Sequence, residues 1–349
     1  MKMIDHASGW QRCLRWLAAG IVWLLLTGLT LWATSALYFD LSWPRFHLLT
    51  PVLYLIAILV MAYRAKAAWL KMAVCLGGFL VVLACWLSLQ PSNDRNWQTS
   101  DSQAPWAEVN GDRVTIHNFR DCSYRTEFDY TCDWLTKTVY LSQLRGIDLF
   151  ITYWGSPWIA HPILSFQFGD NDHVAASIEA RFEVGQNYSA IGGFFRQFAL
   201  LYIFTDEHDI IRLRTNYRKD EDVYLFHLNV TPDQARRLFM QYLDRANLLH
   251  DHPVWYNAVT DNCTTNIYVQ AAAAGEFSFG RLIHDWWILL NGKVPEVLYR
   301  RGRLAGGLPF PELKKRAYIN PVARTLNEDA DYSRRIRENR PGFEFLNRH

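Results

Sequence analysis

Three long apolar runs open the chain, and shorter segments of alternating polarity follow them. The runs are Leu14–Leu37, His47–Tyr63 and Trp69–Leu89. Each comes close to the roughly 20 residues that cross a bilayer as a helix. A cleavable signal peptide has one short apolar run and a small-residue cleavage site. Three successive runs therefore predict a retained anchor of three transmembrane helices over residues 1–89. The middle run is the weakest, because it is short and opens with Thr50 and Pro51.

The chain after the anchor is predicted to have an α+β architecture. Residues 90–104 are polar, which is typical of a linker, and residues 105–349 are predicted to form one exported domain with a helical C-terminal region. Strands are predicted at Arg113–Asn118, Thr138–Leu141, Leu149–Tyr153, His161–Gly169, His173–Phe182, Leu200–Phe204, Ile210–Thr215 and Val223–Val230. Helices are predicted over Gly192–Ala199, from Thr231 and Pro232 to about Leu249, at Cys263, and over most of the region from Phe279 onward. Strands followed by helices indicate an antiparallel sheet with flanking helices.

The basic residues predict how the anchor is oriented. Those that flank the cytoplasmic ends of the predicted spans are Lys2, Arg12, Arg15, Arg64, Lys66 and Lys71. By the positive-inside rule the N-terminus is cytoplasmic, and three spans deliver the exported domain to the periplasmic side of a bacterial inner membrane. The exported part carries slightly more acidic than basic residues. That balance gives no support to nucleic-acid binding, which requires a clustered basic surface.

The cysteines divide into two groups. Three of the six lie in or beside the apolar runs, and the exported part holds Cys122, Cys132 and Cys263. Cys122 and Cys132 are ten positions apart, which predicts a local disulfide in an oxidising compartment. Cys263 is then left over, and an odd cysteine in an exported protein is either an intermolecular link or a reactive thiol.

Cys263 is a candidate nucleophile because of where it lies in its helix. Asp261 or Asn262 is a suitable N-cap, so the thiol falls in the first helical turn. Unpaired backbone N–H groups and the helix dipole favour a thiolate there. The alternative is a buried and inert cysteine, which is the commoner situation for a cysteine in general.

His161 is the candidate base, and Glu179 is the candidate residue that orients it. Both lie on the polar face of a predicted hairpin with a three-residue loop, Asp170 to Asp172. That loop pairs Ser165 with Ser177, Ile163 with Glu179, and His161 with Arg181. Glu179 is then diagonal to His161, within reach of a long side chain. A carboxylate in that position fixes the imidazole tautomer and stabilises its cation.

Other interpretations of the same residues remain open. A histidine at the start of a strand is more often structural than catalytic. Glu179 is equally suited to pair with Arg181 or Arg196, and Ser177 or His173 is an alternative residue to orient His161. No metal site is expected, because the histidines and carboxylates lack a His-Glu-x-x-His or comparable spacing.

Several segments of the exported part resemble the Lnb N-terminal periplasmic domain family over roughly residues 105–340. They are Val114–Arg120, Leu144–Phe150, Tyr153–Gly155, His161–Phe166, Ser177–Arg181, Asp206–Arg214, Trp255–Asn257 and Thr260–Thr265. The namesake of the family is a bacterial lipoprotein N-acyltransferase with a Cys–His site. The order of His before Cys, with the Cys opening a helix, is also similar to the permuted papain-like (NlpC/P60-like) enzymes, including the lecithin:retinol acyltransferase group. The Cys122/Cys132 pair is not part of the family pattern.

The resemblance implies acyl transfer through a thioester on Cys263, with His161 as base and no cofactor. The acyl donor would be a phospholipid, and the acceptor a lipoprotein N-terminus at the membrane. The Cys263 N–H and the Asn262 side chain are the expected oxyanion donors. Further supporting polar residues are Asp261, Ser177, Ser165, Tyr256 and Asn257. Two rival hypotheses are a papain-like peptidase or amidase that acts on the cell wall or envelope proteins, and a non-enzymatic envelope scaffold.

Overall fold

The chain divides into two units. The computed structural model describes residues 6–41, 46–189, 191–275, 291–327 and 329–347. The first unit is Met1–Gln90 together with Ile191–Gln197, and the second is Pro91–Ala190 together with Phe198–His349.

The first unit consists mainly of three apolar helices. They are α1 (His6–Phe39), α2 (Leu49–Arg64) and α3 (Ala68–Leu87). By length and composition, Trp10–Phe39 and Ala68–Leu87 are the two helices of the described residues that can cross a membrane. Helix α2 has 16 residues, so it is about 24 Å long, shorter than the roughly 30 Å hydrocarbon core. The prediction of three spans is therefore corrected to two.

The segment Ile191–Gln197 belongs to the first unit although it follows the sixth strand in sequence. The Phe195 ring stacks on Phe39 with centroids 4.9 Å apart. Arg196 Nη1 donates to the Leu89 carbonyl at 2.7 Å. The helix predicted over Gly192–Ala199 is wrong beyond a single 3₁₀ turn, because this segment is held by side-chain contacts with the helical anchor.

The second unit is built on one eight-stranded sheet. Its strands are β1 (Trp106–Asn110), β2 (Arg113–Tyr124), β3 (Tyr130–Tyr140), β4 (Gly146–Trp154), β5 (Ala160–Gln167), β6 (His173–Arg181), β7 (Ala199–Thr205) and β8 (Glu221–His227). The order is β1-β2-β7-β6-β5-β4-β8, and β3 also pairs with β2. All pairs are antiparallel except the short β2–β7 contact. The α+β architecture is thus confirmed.

One predicted strand is wrong. Ile210–Thr215 lies across helix α4 (Glu207–Arg212) and a following π-helical turn, Leu213–Tyr217. Short apolar runs do not distinguish strand from helix by period. The acidic residues Glu207 and Asp209 in the first turn favour the helix through its dipole.

Helices cover both faces of the sheet. One face packs against α5 (Pro232–Asp251), α6 (Cys263–Ala273), α7 (Val294–Arg300) and α8 (Phe310–Ala317). The other face packs against α4, α9 (Asn320–Ala323) and α10 (Tyr332–Arg335). Strands β5 and β6 are consequently buried on both sides, although their sequences alternate between apolar and polar residues.

A buried ion network explains part of that alternation on the second face. Arg337 Nε donates to Asp148 Oδ2 at 2.8 Å, and its Nη1 donates to Glu207 Oε2 at 2.7 Å. Ser165 donates to the same Glu207 carboxylate. The supporting role predicted for Ser165 at the thiol site is wrong, because the Ser165 hydroxyl donates to Glu207 in this network. His173 is also buried here, where burial first and the Arg337 cation second lower its pKa to about 4.

Cys122 and Cys132 face each other in the β2–β3 ladder, where they are register partners. Their sulfur atoms are at disulfide distance, and their Cα atoms are 4.0 Å apart. A loop this short corresponds to roughly 2–3 kcal/mol of stabilisation.

The segment predicted as a linker, residues 90–104, packs against the end of β6. Arg181 donates from Nη1 to Asn93 Oδ1 and from Nε to the Asp101 carbonyl, both at 2.7 Å. Its guanidinium lies 4.3 Å from the centroid of the Trp97 ring. Arg181 is therefore committed to this segment and does not pair with Glu179.

Candidate active site

The β5–β6 hairpin has a different register from the predicted one. Ser165 pairs with Ala175, not with Ser177. The turn starts two residues early, at Phe168, and the N–H groups of Phe168 and Gly169 both donate to the Asp172 carbonyl. Glycine favours such turn positions. A shift of two residues keeps every side chain on its predicted face.

The corrected register brings His161 and Glu179 closer than the diagonal arrangement. Extending it beyond the last pair, Leu164 with Ala176, places His161 directly opposite Glu179. The β5–β6 ladder ends at that last pair. From there His161 pairs with Thr152 on β4, while the end of β6 pairs with β7. The side chains of His161 and Glu179 therefore meet where the two strands separate.

His161 contacts two of its three predicted orienting candidates through one nitrogen. Its Nε2 lies 2.8 Å from Ser177 Oγ and 3.0 Å from Glu179 Oε1. Ser177 Oγ in turn donates to Glu179 Oε1. The third candidate, His173, lies in the ion network on the second face. Nδ1 of His161 is thus the nitrogen left for Cys263.

Cys263 is the first residue of α6, and Asn262 is its N-cap. Asn262 Oδ1 accepts hydrogen bonds from the backbone of Thr264 and Thr265, both at 2.9 Å. The Thr265 hydroxyl accepts from the Asn262 N–H, which completes a capping box. Asn262 Nδ2 donates to the Ala258 carbonyl at 2.7 Å. Asn262 therefore fixes the start of the helix, and its amide is already engaged there rather than in the predicted oxyanion role.

The thiol of Cys263 is buried and contacts His161 and Asn291. A hydrogen bond with Cys263 is among the interactions that raise the pKa of His161. Asn291 Nδ2 donates to Cys263 Sγ at 3.6 Å. Asn291 was not predicted from the sequence, because it lies 28 residues downstream of Cys263 and belongs to no motif near the thiol.

Gly292 allows the Asn291 loop to approach the sheet. A Cβ at Gly292 would collide with the Pro157 carbonyl and lie 2.8 Å from the Trp158 carbonyl carbon. Tyr153 Oη donates to the Gly292 carbonyl at 2.7 Å. Gly292, directly after Asn291, is thus the feature of the sequence that indicates a close approach of this loop to the backbone of Pro157 and Trp158.

The electrostatics of the pair favour an imidazolium. Burial lowers the pKa of His161, but the Glu179 carboxylate outweighs it and raises the pKa to about 9. Burial likewise raises the pKa of Glu179, and the His161 cation holds it well below its usual range. The pair therefore contributes its full stabilisation between about pH 4.5 and 6.5, loses it as the pH rises through about 9, and also loses it in strong acid, where Glu179 takes up a proton.

Arg214 is a further member of this cluster and was not among the predicted site residues. It lies in the π-helical turn after α4. Its Nη2 is 3.4 Å from Glu179 Oε1, and its Nη1 is 3.2 Å from Glu221 Oε2. Glu179 therefore pairs with Arg214, not with Arg181 or Arg196, and Arg214 contacts the same carboxylate oxygen as His161.

The remaining predicted supporting residues form the loop before Cys263. Asn257 Oδ1 accepts from the backbone of Val259 and Thr260, and Asn257 bridges to Asp261 through its backbone. Asn257 and Asp261 thus shape the loop and are not placed at the sulfur. Burial, and then the charge of Cys263, raise the pKa of Tyr256, which places that phenol close to the thiol.

An apolar cavity runs along α6 from Thr264, the residue after Cys263, and its open space of about 750 Å³ includes solvent at the mouth. Its walls include Thr264 and Pro162, which follow Cys263 and His161 in sequence. The other wall residues of α6 are Ile267, Tyr268 and Ala271. With Thr264 they have the spacing of one helical face, so the cavity runs along the helix away from the thiol.

The described residues contain no group of three or more His, Cys, Asp and Glu side chains that could hold a metal ion. The chemical groups at the thiol are an imidazole, which is held by a carboxylate, an amide and a helix N-terminus. This set is suited to nucleophilic chemistry at a carbonyl carbon.

Glu179→Gln is expected to lower the rate at which iodoacetamide alkylates Cys263 at pH 6 by roughly tenfold. The variant removes the charge that raises the pKa of His161, while burial and Arg214 still lower it. One pKa unit changes the protonated fraction about tenfold. The rate, followed by peptide mass spectrometry from pH 5 to 9, should converge with that of the wild type near pH 9. Glu183→Gln, which removes a carboxylate paired with Arg95, should leave the profile unchanged. Identical profiles for Glu179→Gln and the wild type would contradict the assignment.

Comparison with known proteins finds one family model that matches part of the chain. The family model of the Lnb N-terminal periplasmic domain matches residues 130–292. No curated protein and no solved structure matches the chain. The matched region spans His161, Glu179, Cys263 and Asn291. The resemblance noted in the sequence is thus confirmed. Together with the two apolar helices, it indicates a membrane-associated protein with a periplasmic domain.

Proposed function

We propose, from the Lnb N-terminal periplasmic domain that residues 130–292 match, that this chain is a membrane-anchored thiol acyltransferase. Cys263 takes an acyl chain from a phospholipid ester and passes it to an amine, the N-terminal group of a lipoprotein. The apolar cavity that runs along α6 from Thr264, the residue after Cys263, carries this proposal. A fatty acyl group needs such a cavity next to its reacting carbonyl, whereas a peptide needs polar partners for its backbone.

The first half-reaction begins with a proton on His161. Burial lowers and Glu179 raises the pKa of the imidazole, to about 9, so His161 is cationic at neutral pH and stabilises a thiolate on Cys263. The thiolate attacks the ester carbonyl, and a C–S bond forms. The Cys263 N–H, which has no acceptor within α6, and the Asn291 amide are positioned to stabilise the oxyanion.

Collapse of the oxyanion then breaks the ester C–O bond. The leaving alcohol takes the proton from His161, and the products are a lysophospholipid and a thioester on Cys263. In the second half-reaction an amine attacks the thioester carbonyl, and neutral His161 accepts the proton of that amine. The C–S bond breaks, an amide is released, and the imidazolium–thiolate pair is restored. Water in place of the amine gives hydrolysis.

The proposal includes the fold and the topology. His161 on a strand precedes Cys263 at the start of a helix, and α6 packs against β5 and β6. This order resembles that of the permuted papain-like (NlpC/P60-like) thiol enzymes. Helices α1 and α3 anchor the domain in a bacterial inner membrane. With two crossings the N-terminus lies on the same side as the domain, so the periplasmic domain replaces the cytoplasmic N-terminus that the basic residues before α1 predict.

The test is to trap the thioester on the full-length chain in phosphatidylethanolamine vesicles without an amine acceptor. Mass spectrometry is expected to find an acyl group on the Cys263 peptide that hydroxylamine removes and that Cys263→Ala lacks. Adding a diacylated lipopeptide with a free N-terminus should clear the adduct and yield the N-acyl lipopeptide. Cleavage of peptide or amide substrates without any adduct would replace the proposal with a peptidase or amidase. Intact phospholipid and an unmodified Cys263 would leave the scaffold hypothesis.

A further inference from the structure

The cavity beside the thiol has a definite direction. Helix α6 begins at Cys263 and ends at Ala273, and the cavity follows one of its faces from Thr264 to Ala271. Eight residues separate Cys263 from Ala271, so the far part of this face lies about 12 Å along the helix axis from the nucleophile.

The opposite wall runs in the same direction. On β5, Pro162 and Leu164 line the cavity, and both follow His161. The adjacent strand β4 contributes Leu149, the register partner of Leu164, and then Ile147, which pairs with Phe166. Distance from the Cys–His pair therefore increases on both walls together.

The wall residues farthest from the Cys–His pair along β4 and α6 differ in size. Ile147 on β4 and Leu238 on α5 are both buried wall residues there. On α6 the corresponding position is Ala271, which is 5% exposed and has the smallest side chain among the wall residues on that helix. The depth of the cavity at this end thus depends on the absence of side-chain atoms beyond the Ala271 Cβ.

We propose that this cavity selects the transferred acyl chain by length and that Ala271 sets the limit. This inference rests on the proposed function, since it requires the acyl group to be bound to Cys263. A linear acyl chain bound to the sulfur extends along α6, and its terminal methylene groups contact Ala271, Ile147 and Leu238. Each methylene group that stays in the apolar cavity strengthens binding about fourfold. A chain that is too long must displace packed side chains, which well-packed interiors resist.

In the experiment, the full-length protein is mixed with vesicles that contain equal amounts of three phosphatidylethanolamines, whose acyl groups have 8, 12 or 16 carbon atoms. Peptide mass spectrometry measures the distribution of acyl lengths on Cys263. In Ala271→Leu, three added carbon atoms occupy the remote end. The preferred chain is expected to shorten, with the longest adduct reduced at least tenfold relative to the shortest. Leu238→Ala enlarges the same end and should shift the distribution the opposite way.

Val269→Leu is the matched control, because Val269 lies on α6 but is 49% exposed. It should leave the distribution unchanged. Adducts whose lengths are the same in the wild type, Ala271→Leu and Leu238→Ala would overturn the length selection while leaving the proposed function in place. A wild-type chain that forms no adduct at all would overturn both. Iodoacetamide labelling of Cys263 in each variant distinguishes a misfolded site from an altered preference for acyl length. Leu238→Ala, which enlarges the cavity, gives a second independent readout.

Discussion

Replacing Cys263 with Ser, or His161 with Ala, is expected to lower the rate of phospholipid deacylation in vesicles by on the order of 10⁴-fold or more. The hydroxyl of a serine stays protonated beside this imidazolium, and without His161 no group holds the proton that the leaving alcohol needs. Because the two residues act as one unit, the double variant should be scarcely slower than either single variant. Release of lysophospholipid from the full-length chain in phosphatidylethanolamine vesicles measures the rate.

Cys85→Ser is the matched control, since Cys85 is a free and exposed cysteine in α3. It should retain the wild-type rate. Proteolysis and membrane insertion of Cys263→Ser should equal those of the wild type, because the change replaces one buried atom. A Cys263→Ser chain with full activity would eliminate the thiol mechanism, and a Cys85→Ser chain without activity would move the nucleophile to the first unit.

The parts of the site that were predictable depend on local sequence. Thr231 and Pro232 mark the start of α5, and the structure has a capping box there. Asn262 similarly marks the start of α6 and places Cys263 at the first helical position. These signals are contained within a few residues, because an N-cap acts on the backbone two or three positions away. The face of each strand in the β5–β6 hairpin was also predictable, since alternation survives a register error of two.

The parts that were missed depend on tertiary contacts. Asn291 reaches Cys263 only because Gly292 fits against Pro157 and Trp158. Arg214 lies in a segment whose apolar run predicts a strand, and the π-helical turn that directs it toward Glu179 has no sequence signature. No hydrophobic pattern encodes such side-chain pairings between distant elements.

The polar faces of β5 and β6 gave the most misleading signal. Alternation of polar and apolar residues usually indicates one solvated face. Here the polar face is buried, and its residues divide between the thiol site at one end of the hairpin and the Arg337 network at the other. The local sequence does not indicate which of Ser165 and Ser177 lies at the thiol site. Ser165 contacts Glu207, and Ser177 contacts His161.

Arg337→Met is expected to destabilise the second unit by about 3–5 kcal/mol at pH 7. Arg337 is fully buried, with Nη2 2.7 Å from Asp148 Oδ2 and Nη1 2.7 Å from Glu207 Oε2. Methionine fills a similar volume but leaves two buried carboxylates without their cation. Urea unfolding of the full-length chain in detergent, followed by protection of the second unit from proteolysis, measures the loss.

The pH dependence distinguishes this electrostatic cause from poor packing. In the wild type, burial raises the pKa of Asp148 but Arg337 and His227 lower it to about 2. The network therefore stabilises the fold above about pH 4 and loses that contribution as the pH falls toward 2. In Arg337→Met the buried carboxylates have raised pKa values and can be protonated in mild acid. The difference in unfolding free energy between the variant and the wild type should therefore become smaller as the pH falls from 7 to 4.5.

Arg334→Met is the matched control, because Arg334 lies one turn earlier and its ion pairs are exposed. Arg334→Met should lower the free energy of unfolding by less than about 1 kcal/mol. A deficit for Arg337→Met that stays constant with pH would assign the loss to packing rather than to the two unpaired carboxylates.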